Sequence, residues 1–131
     1  MKKLIFLIPL SFLLSYQNLH AEEKASIYGV GAVNCGKYLK LIENNNYLIA
    51  FSIWKSGYFS ALNSVRTGLG EPAVNLNDKR LSPDAQDTLI KFICQQSRPD
   101  NIFSGVAASV YGHMAKQQGI DVWDVIGVHT K

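Results

Sequence analysis

Ala50-Phe51-Ser52-Ile53-Trp54-Lys55-Ser56-Gly57-Tyr58-Phe59-Ser60-Ala61-Leu62-Asn63 is the stretch from which the fold is read. With Tyr47 just before it, Phe51, Trp54, Tyr58 and Leu62 recur at steps of four, three, four and four. That is the spacing of one apolar stripe along a helix. So aromatic a face has to be buried, and the helical patterns that bracket it carry Cys35 and Cys94. The expected architecture is mainly α: a central helix over about 47–66, wrapped by the segments that the two cysteines tie together.

Working outward, Asn34 is an N-cap for a first helix from Cys35 to about Glu43, with Cys35, Tyr38, Leu39 and Ile42 on one face. Asn44-Asn45-Asn46 breaks it, because asparagine favours turns. Gly57 lies inside the central helix at a cost of about 1 kcal/mol relative to alanine. It is expected there to let another helix or a ring approach. Residues 67–81, with Gly68, Gly70, Pro72, Asn75, Asn77 and Asp78, show no periodicity and are expected to form the mobile surface of the domain. A third helix opens with Ser82 as cap and Pro83 at its first position, turns Leu89, Ile90, Ile93 and Cys94 inward, and stops at Arg98-Pro99. A fourth is predicted from Asp100 or Asn101, with Ile102, Phe103, Val106, Ala107, Val110, Tyr111 and Met114 inside and Gly119 as its cap. Residues 27–33 read as an extended lead-in. The tail over 119–131 reads as a strand paired with 27–33 or as a segment packed on the helices.

The N-terminus carries an address. Lys2-Lys3, an apolar run from Leu4 to Leu14 and the small Ala21 before Glu22-Glu23 have the layout of a cleaved secretory signal peptide over 1–21. The run is too short to span a bilayer, which takes about 20 residues, so no membrane span is expected after cleavage. The single helical domain would occupy 22–131, with its core over 33–118. It loses Lys2 and Lys3, leaving 11 basic residues against 10 acidic ones, a net of +1. No basic run suggests nucleic acid. Cys35 and Cys94 are the only cysteines, and in an oxidising periplasm they are expected to pair.

Chemistry is harder to find. His20 lies in the signal segment, and His113 and His129 have no third ligand and no free cysteine, so no metal site is expected. There is no G-x-S-x-G, and Gly29-x-Gly31 lacks the third glycine of a nucleotide fingerprint. Asp84 and Asp87, like Asp121 and Asp124, are three apart and read as helix-end or solvated charge. An enzyme would need a cleft that gathers carboxylates, so neither catalysis nor a cofactor is expected. The aromatic residues remain: Phe51, Trp54, Tyr58 and Phe59 are the candidate surface for a client or partner.

Asn34-Cys35-Gly36-Lys37-Tyr38-Leu39, Gly57-Tyr58-Phe59-Ser60-Ala61-Leu62-Asn63 and Ile93-Cys94 followed by Phe103 and Val106 together resemble the HdeA family of small periplasmic acid-stress proteins. The likeness runs from about residue 33 to 115. It implies a small four-helix bundle stapled by one disulfide. It also implies a homodimer at neutral pH that opens in acid and coats unfolded clients as a holdase. In acid the mature chain would carry 11 Lys and Arg, two His and its amino terminus, roughly +14. The extra segment at 28–31, the loop over 67–81 and the tail after Gly119 depart from the family. The glycine-aromatic pattern with a downstream cysteine is also similar to exported immunity proteins of the Tai type, which usually carry more cysteines. That likeness implies a specific periplasmic protein partner bound at neutral pH, met by the 67–81 loop. The two readings differ in where the stripe ends up. A stripe inside one subunit has to be unfolded to be used, whereas an exposed patch at Tyr58 and Phe59 would point to a dimer or partner.

Overall fold

Three of the four helices begin where a side chain catches a backbone N–H that the helix itself cannot satisfy. A computed structural model describes residues 29–121. There a 3₁₀ turn, Gly29–Ala32, leads into α1 (Cys35–Leu41), α2 (Asn45–Gly68), α3 (Pro83–Gln96) and α4 (Phe103–Gln117). The fold is a small, all-α bundle. The Asn34 side chain accepts from Lys37 N at 2.8 Å and that of Asn44 from Asn46 N at 2.9 Å. Ser82 Oγ accepts from Ala85 N at 3.4 Å, with Pro83 at the start of α3. Asn44 is thus a cap as well as a breaker, and α2 begins earlier than Tyr47.

The fourth start is made by a distant part of the chain. Ile102, expected on the inner face, is exposed and caps α4 without a side-chain bond. Instead Phe103 N donates to Val33 O at 2.8 Å, and Cys35 N donates to Asn101 O at 2.7 Å. Val33 and Asn34 therefore hold Asn101 and Ile102 extended, which places the start of α4 after the Asp100 or Asn101 expected from sequence. The lead-in is only partly extended: its middle is the 3₁₀ turn, entered through Gly29 at φ +70°. Residues 1–28 and 122–131, and with them the signal segment and most of the tail, lie outside the described residues.

The sequence-based choice of α2 as the central helix is corrected by burial. Nine of the 15 residues of α4 are buried, against four of the 24 in α2. Ala107, Gly112 and Ala115 of α4 are small enough for neighbours to close in from several sides, and Ala107 and Ala115 are fully covered. The outer flank of α2 mixes exposed aliphatic residues such as Ile53 and Val65 with serines. Ser56, Ser60 and Ser64 each donate their hydroxyl to the carbonyl four residues back, a bond that satisfies the serine without a partner from outside the helix. Gly57 is on the open side, where an added Cβ would meet nothing within 4 Å. The glycine that permits close approach is Gly31, which lies against the Trp54 indole with no room for a Cβ.

The aromatic core follows. Tyr38 of α1, Phe51 of α2 and Phe103 of α4 meet with each pair of ring centroids 4.8 Å apart, a range favourable for edge and tilted packing. Cys35 and Cys94 form a disulfide with a Cα–Cα distance of 5.1 Å, tying the start of α1 to α3. In the chain-entropy picture such a long closed loop contributes about 4 kcal/mol.

Candidate functional site

The four aromatic residues singled out from sequence do not form one surface. Phe51 and Phe59 are 2% and 1% exposed. Phe51 is held by Tyr38 and Phe103, and Phe59 lies 5.4 Å from the Tyr111 ring. Trp54 and Tyr58 are half-buried and stack on each other at 5.0 Å, with Trp54 also 5.5 Å from Phe103. Tyr47, the first member of the stripe, is exposed. The folded chain therefore offers only the Trp54–Tyr58 edge, and the rest is core. Ile49 and Ile53, one turn apart, are exposed on the outer flank of α2 instead.

Sequence reading missed two cations inside the bundle. Lys55 is 0% exposed and Arg66 1%. Lys55 occupies the row Phe51–Lys55–Phe59, in which residues four apart share a face. Its Nζ donates to Asp87 Oδ1 at 2.6 Å and to Pro83 O at 3.0 Å. Asp87 Oδ2 accepts from Ser52 Oγ at 2.7 Å. The reading of Asp87 as solvated charge is thus corrected: it is the counter-ion of a buried lysine, docking α3 on α2. Asp84, one turn earlier, is exposed as expected. The signal for Asp87 was the lysine itself, placed between two phenylalanines that must be buried.

Arg66 is held differently. Its Nε donates to Pro72 O at 2.9 Å and one terminal nitrogen to Asp121 O at 3.1 Å. The other nitrogen is buried without a hydrogen bond, 3.7 Å from a carboxylate oxygen of the exposed Glu71. Arg66 thereby fixes the connection after α2, and three amides extend the work. Asn63 bonds both the N–H and the C=O of Val74, at 2.9 and 2.8 Å, and also accepts from the Tyr111 hydroxyl at 2.7 Å. Gln86 donates to Leu76 O and Leu81 O, while Gln118 bonds Asn75 N and O. The segment expected to be mobile surface is exposed for most of its length but pinned at Pro72, Val74, Asn75, Leu76 and Leu81, with Val74 in the core.

A cavity of about 290 Å³ opens where the end of α1, the start of α2 and the start of α3 meet. Ile42 and Leu48 supply apolar wall, and Asp84, Asp87 and Lys91 of α3 supply charge. Tyr38 also lines it, its ring fixed in the aromatic core. Burial, reinforced by the nearby Asp87 carboxylate, pushes the Tyr38 hydroxyl up to about 12, so it stays protonated. Burial also raises Tyr58, and it raises Tyr111 against the opposing pull of Arg66.

His113 is exposed beside Gln117, whose amide nitrogen is 2.9 Å from its ring; His129 lies outside the described residues. Among the described residues no three His, Cys, Asp or Glu gather as a metal site. No described helix is long and apolar enough to cross a membrane. No family model, no curated protein and no solved structure matches this chain.

Proposed function

We propose that this chain is an exported, HdeA-like acid-stress holdase that hides its client-binding aromatics at neutral pH and releases them in acid. The observation that carries the reading is the composition of the buried face of α2. Phe51 and Phe59 flank Lys55, whose counter-charge is the Asp87 carboxylate at 2.6 Å, and Arg66 follows on the same helix beside Glu71. Acid that protonates carboxylates, below about pH 3, leaves lysine and arginine charged. Lys55 would then be a buried cation without its counter-ion, a state that costs several kcal/mol. Its relief is movement of α2 away from α3 and α4, which uncovers Phe51, Phe59, Trp54 and Tyr58 together. The Cys35–Cys94 disulfide keeps such an opened chain compact.

The test is suppression of client aggregation by the oxidised mature protein at pH 2–3 and at pH 7, with tryptophan emission followed in the same samples. Protection in acid alone, accompanied by a red shift, is expected. Replacing the ion pair by Lys55→Met with Asp87→Leu removes the trigger, and should move the emission change and the protection to lower pH. A chain that keeps its emission and protects no client at either pH refutes the reading. A second reading, a neutral-pH binding or immunity protein, draws on the exposed Ile53 and Phe92, 68% and 56% accessible in the folded chain. Capture of one stoichiometric partner at pH 7 would favour it.

A further inference from the structure

The cavity beside Tyr38 has the makings of a ligand site that the acid-opening reading does not use. Its volume, about 290 Å³, is at the lower edge of the range of small-molecule pockets, about 300–1,000 Å³. Tyr38 is 2% exposed, its ring clamped between Phe51 and Phe103, and its hydroxyl has no hydrogen-bond partner among the described residues. It is not sealed from solvent, since among the described residues the one buried side-chain polar atom without a partner is an Arg66 nitrogen. The Tyr38 hydroxyl is therefore open to hydrogen-bond with whatever occupies the cavity.

The charge in view is acidic at one end. Asp87 lines the cavity, whereas its partners Lys55 and Ser52 do not. Both Asp87 oxygens are fixed by those partners, yet each retains acceptor capacity. Asp84 shares its face of α3 one turn earlier, and its carboxylate makes no ion pair among the described residues. Lys91, also on the cavity wall, follows Asp87 by one turn of α3 and Asp84 by two. Ile42 and Leu48 line the space with hydrocarbon.

We infer that this cavity binds a primary ammonium or guanidinium group on a short alkyl stem, with the cation at Asp84, Asp87 and the Tyr38 hydroxyl and the stem against Ile42 and Leu48. A free alkylamine and the lysine or arginine side chain of a peptide share that chemistry. The inference concerns the folded chain at neutral pH, so its failure leaves the holdase reading standing and the reverse also holds.

The test is a titration of the folded, oxidised protein at pH 7, read by amide chemical shifts. The probes are n-butylammonium and n-butylguanidinium, with butyrate and n-butanol as controls. The cations are expected to saturate, with shifts centred on Ile42, Leu48, Asp84 and Thr88, while the controls do not. Asp84→Asn removes an exposed first-turn carboxylate of α3 that makes no ion pair among the described residues, at a small cost to the helix start. It should weaken the cations by about tenfold or more, the worth of one charge-assisted hydrogen bond. Tyr38→Phe keeps the ring in the core and should weaken them as well. A peptide with one lysine, compared with its Nε-acetyl form, separates the sources. Binding tighter than butylammonium and lost on acetylation assigns a protein side chain, and binding no tighter assigns a free amine. Absence of saturation, equal binding of butyrate, or unchanged affinity in Asp84→Asn overturns the inference.

Discussion

Lys55 and Arg66 are equally hidden on one helix, yet the bundle treats them in opposite ways. Lys55 is a charge paired with a charge: Asp87 is itself fixed by Ser52 and belongs to another helix. Arg66 is a charge held by backbone carbonyls, those of Pro72 and Asp121, with the exposed Glu71 carboxylate farther off at 3.7 Å. The first joins two helices, and the second organises a loop around a helix end. A buried ion pair fails abruptly when one member is lost, because the other stays behind uncompensated. A carbonyl cage around a guanidinium loses one hydrogen bond at a time.

The contrast makes a ranked set of expectations. Asp87→Ala should be the costliest change, about 3–5 kcal/mol at pH 7 by urea unfolding, since Lys55 is left buried and unpaired. Lys55→Met added to it should recover most of that loss. A double variant no more stable than Asp87→Ala alone would mean that Asp87 acts through Ser52 rather than through Lys55. Arg66→Met should cost less, about 1–3 kcal/mol for carbonyls left without donors. Its more specific mark would be proteolytic nicking within 70–76, because Pro72 loses its anchor. Nicking unchanged from the parent would show that Asn63 and Gln86 hold the connection alone. Glu71→Gln should be nearly silent, within about 0.5 kcal/mol, as expected for a loose pair with one exposed member. A large effect there would turn Arg66 into a second ion pair and erase the distinction.

Acid offers a further check at the exposed end of the same loop. Asp78 is held down to about 2 from its ordinary 3.8, first by the side-chain hydrogen bonds from Arg80 and then by the bond from the Arg80 backbone N–H. A depressed carboxyl contributes stability that is present above the unfolded value and lost as pH falls through the folded one. Asp78→Asn should therefore flatten the fall of the melting temperature between about pH 4 and pH 2.

Local chemistry was the legible part of this sequence. Asn34, Ser82 and Pro83 announce helix starts because a cap needs only its own neighbours. The two cysteines announce their bond because no others compete. The start of α4 was not legible, since its cap is Val33, a residue far away in sequence. The rank of the helices was obscured for a related reason. Aromatic size marks α2, but it is smallness at Ala107, Gly112 and Ala115 that lets α4 be surrounded, and small residues leave no periodic signature. Lys55 was hidden by the search for apolar periodicity, which discards a charged residue even in the row of Phe51 and Phe59. Its long aliphatic stem suits that row, and only its tip needs Asp87.

Cys35 and Cys94 close a covalent ring with a sequence separation of 59, and α2 lies wholly inside it. The most buried helix, α4, lies wholly outside. In topological terms the bundle is a closed band with a removable stopper. Separating α4 from the band would uncover the faces of Tyr38, Phe51 and Phe59 that Phe103 and Tyr111 cover, on a loop whose two ends the disulfide holds together. Hydrogen exchange should then show α4 opening as one unit. Reseating it would be a search over the short tether between Cys94 and Phe103.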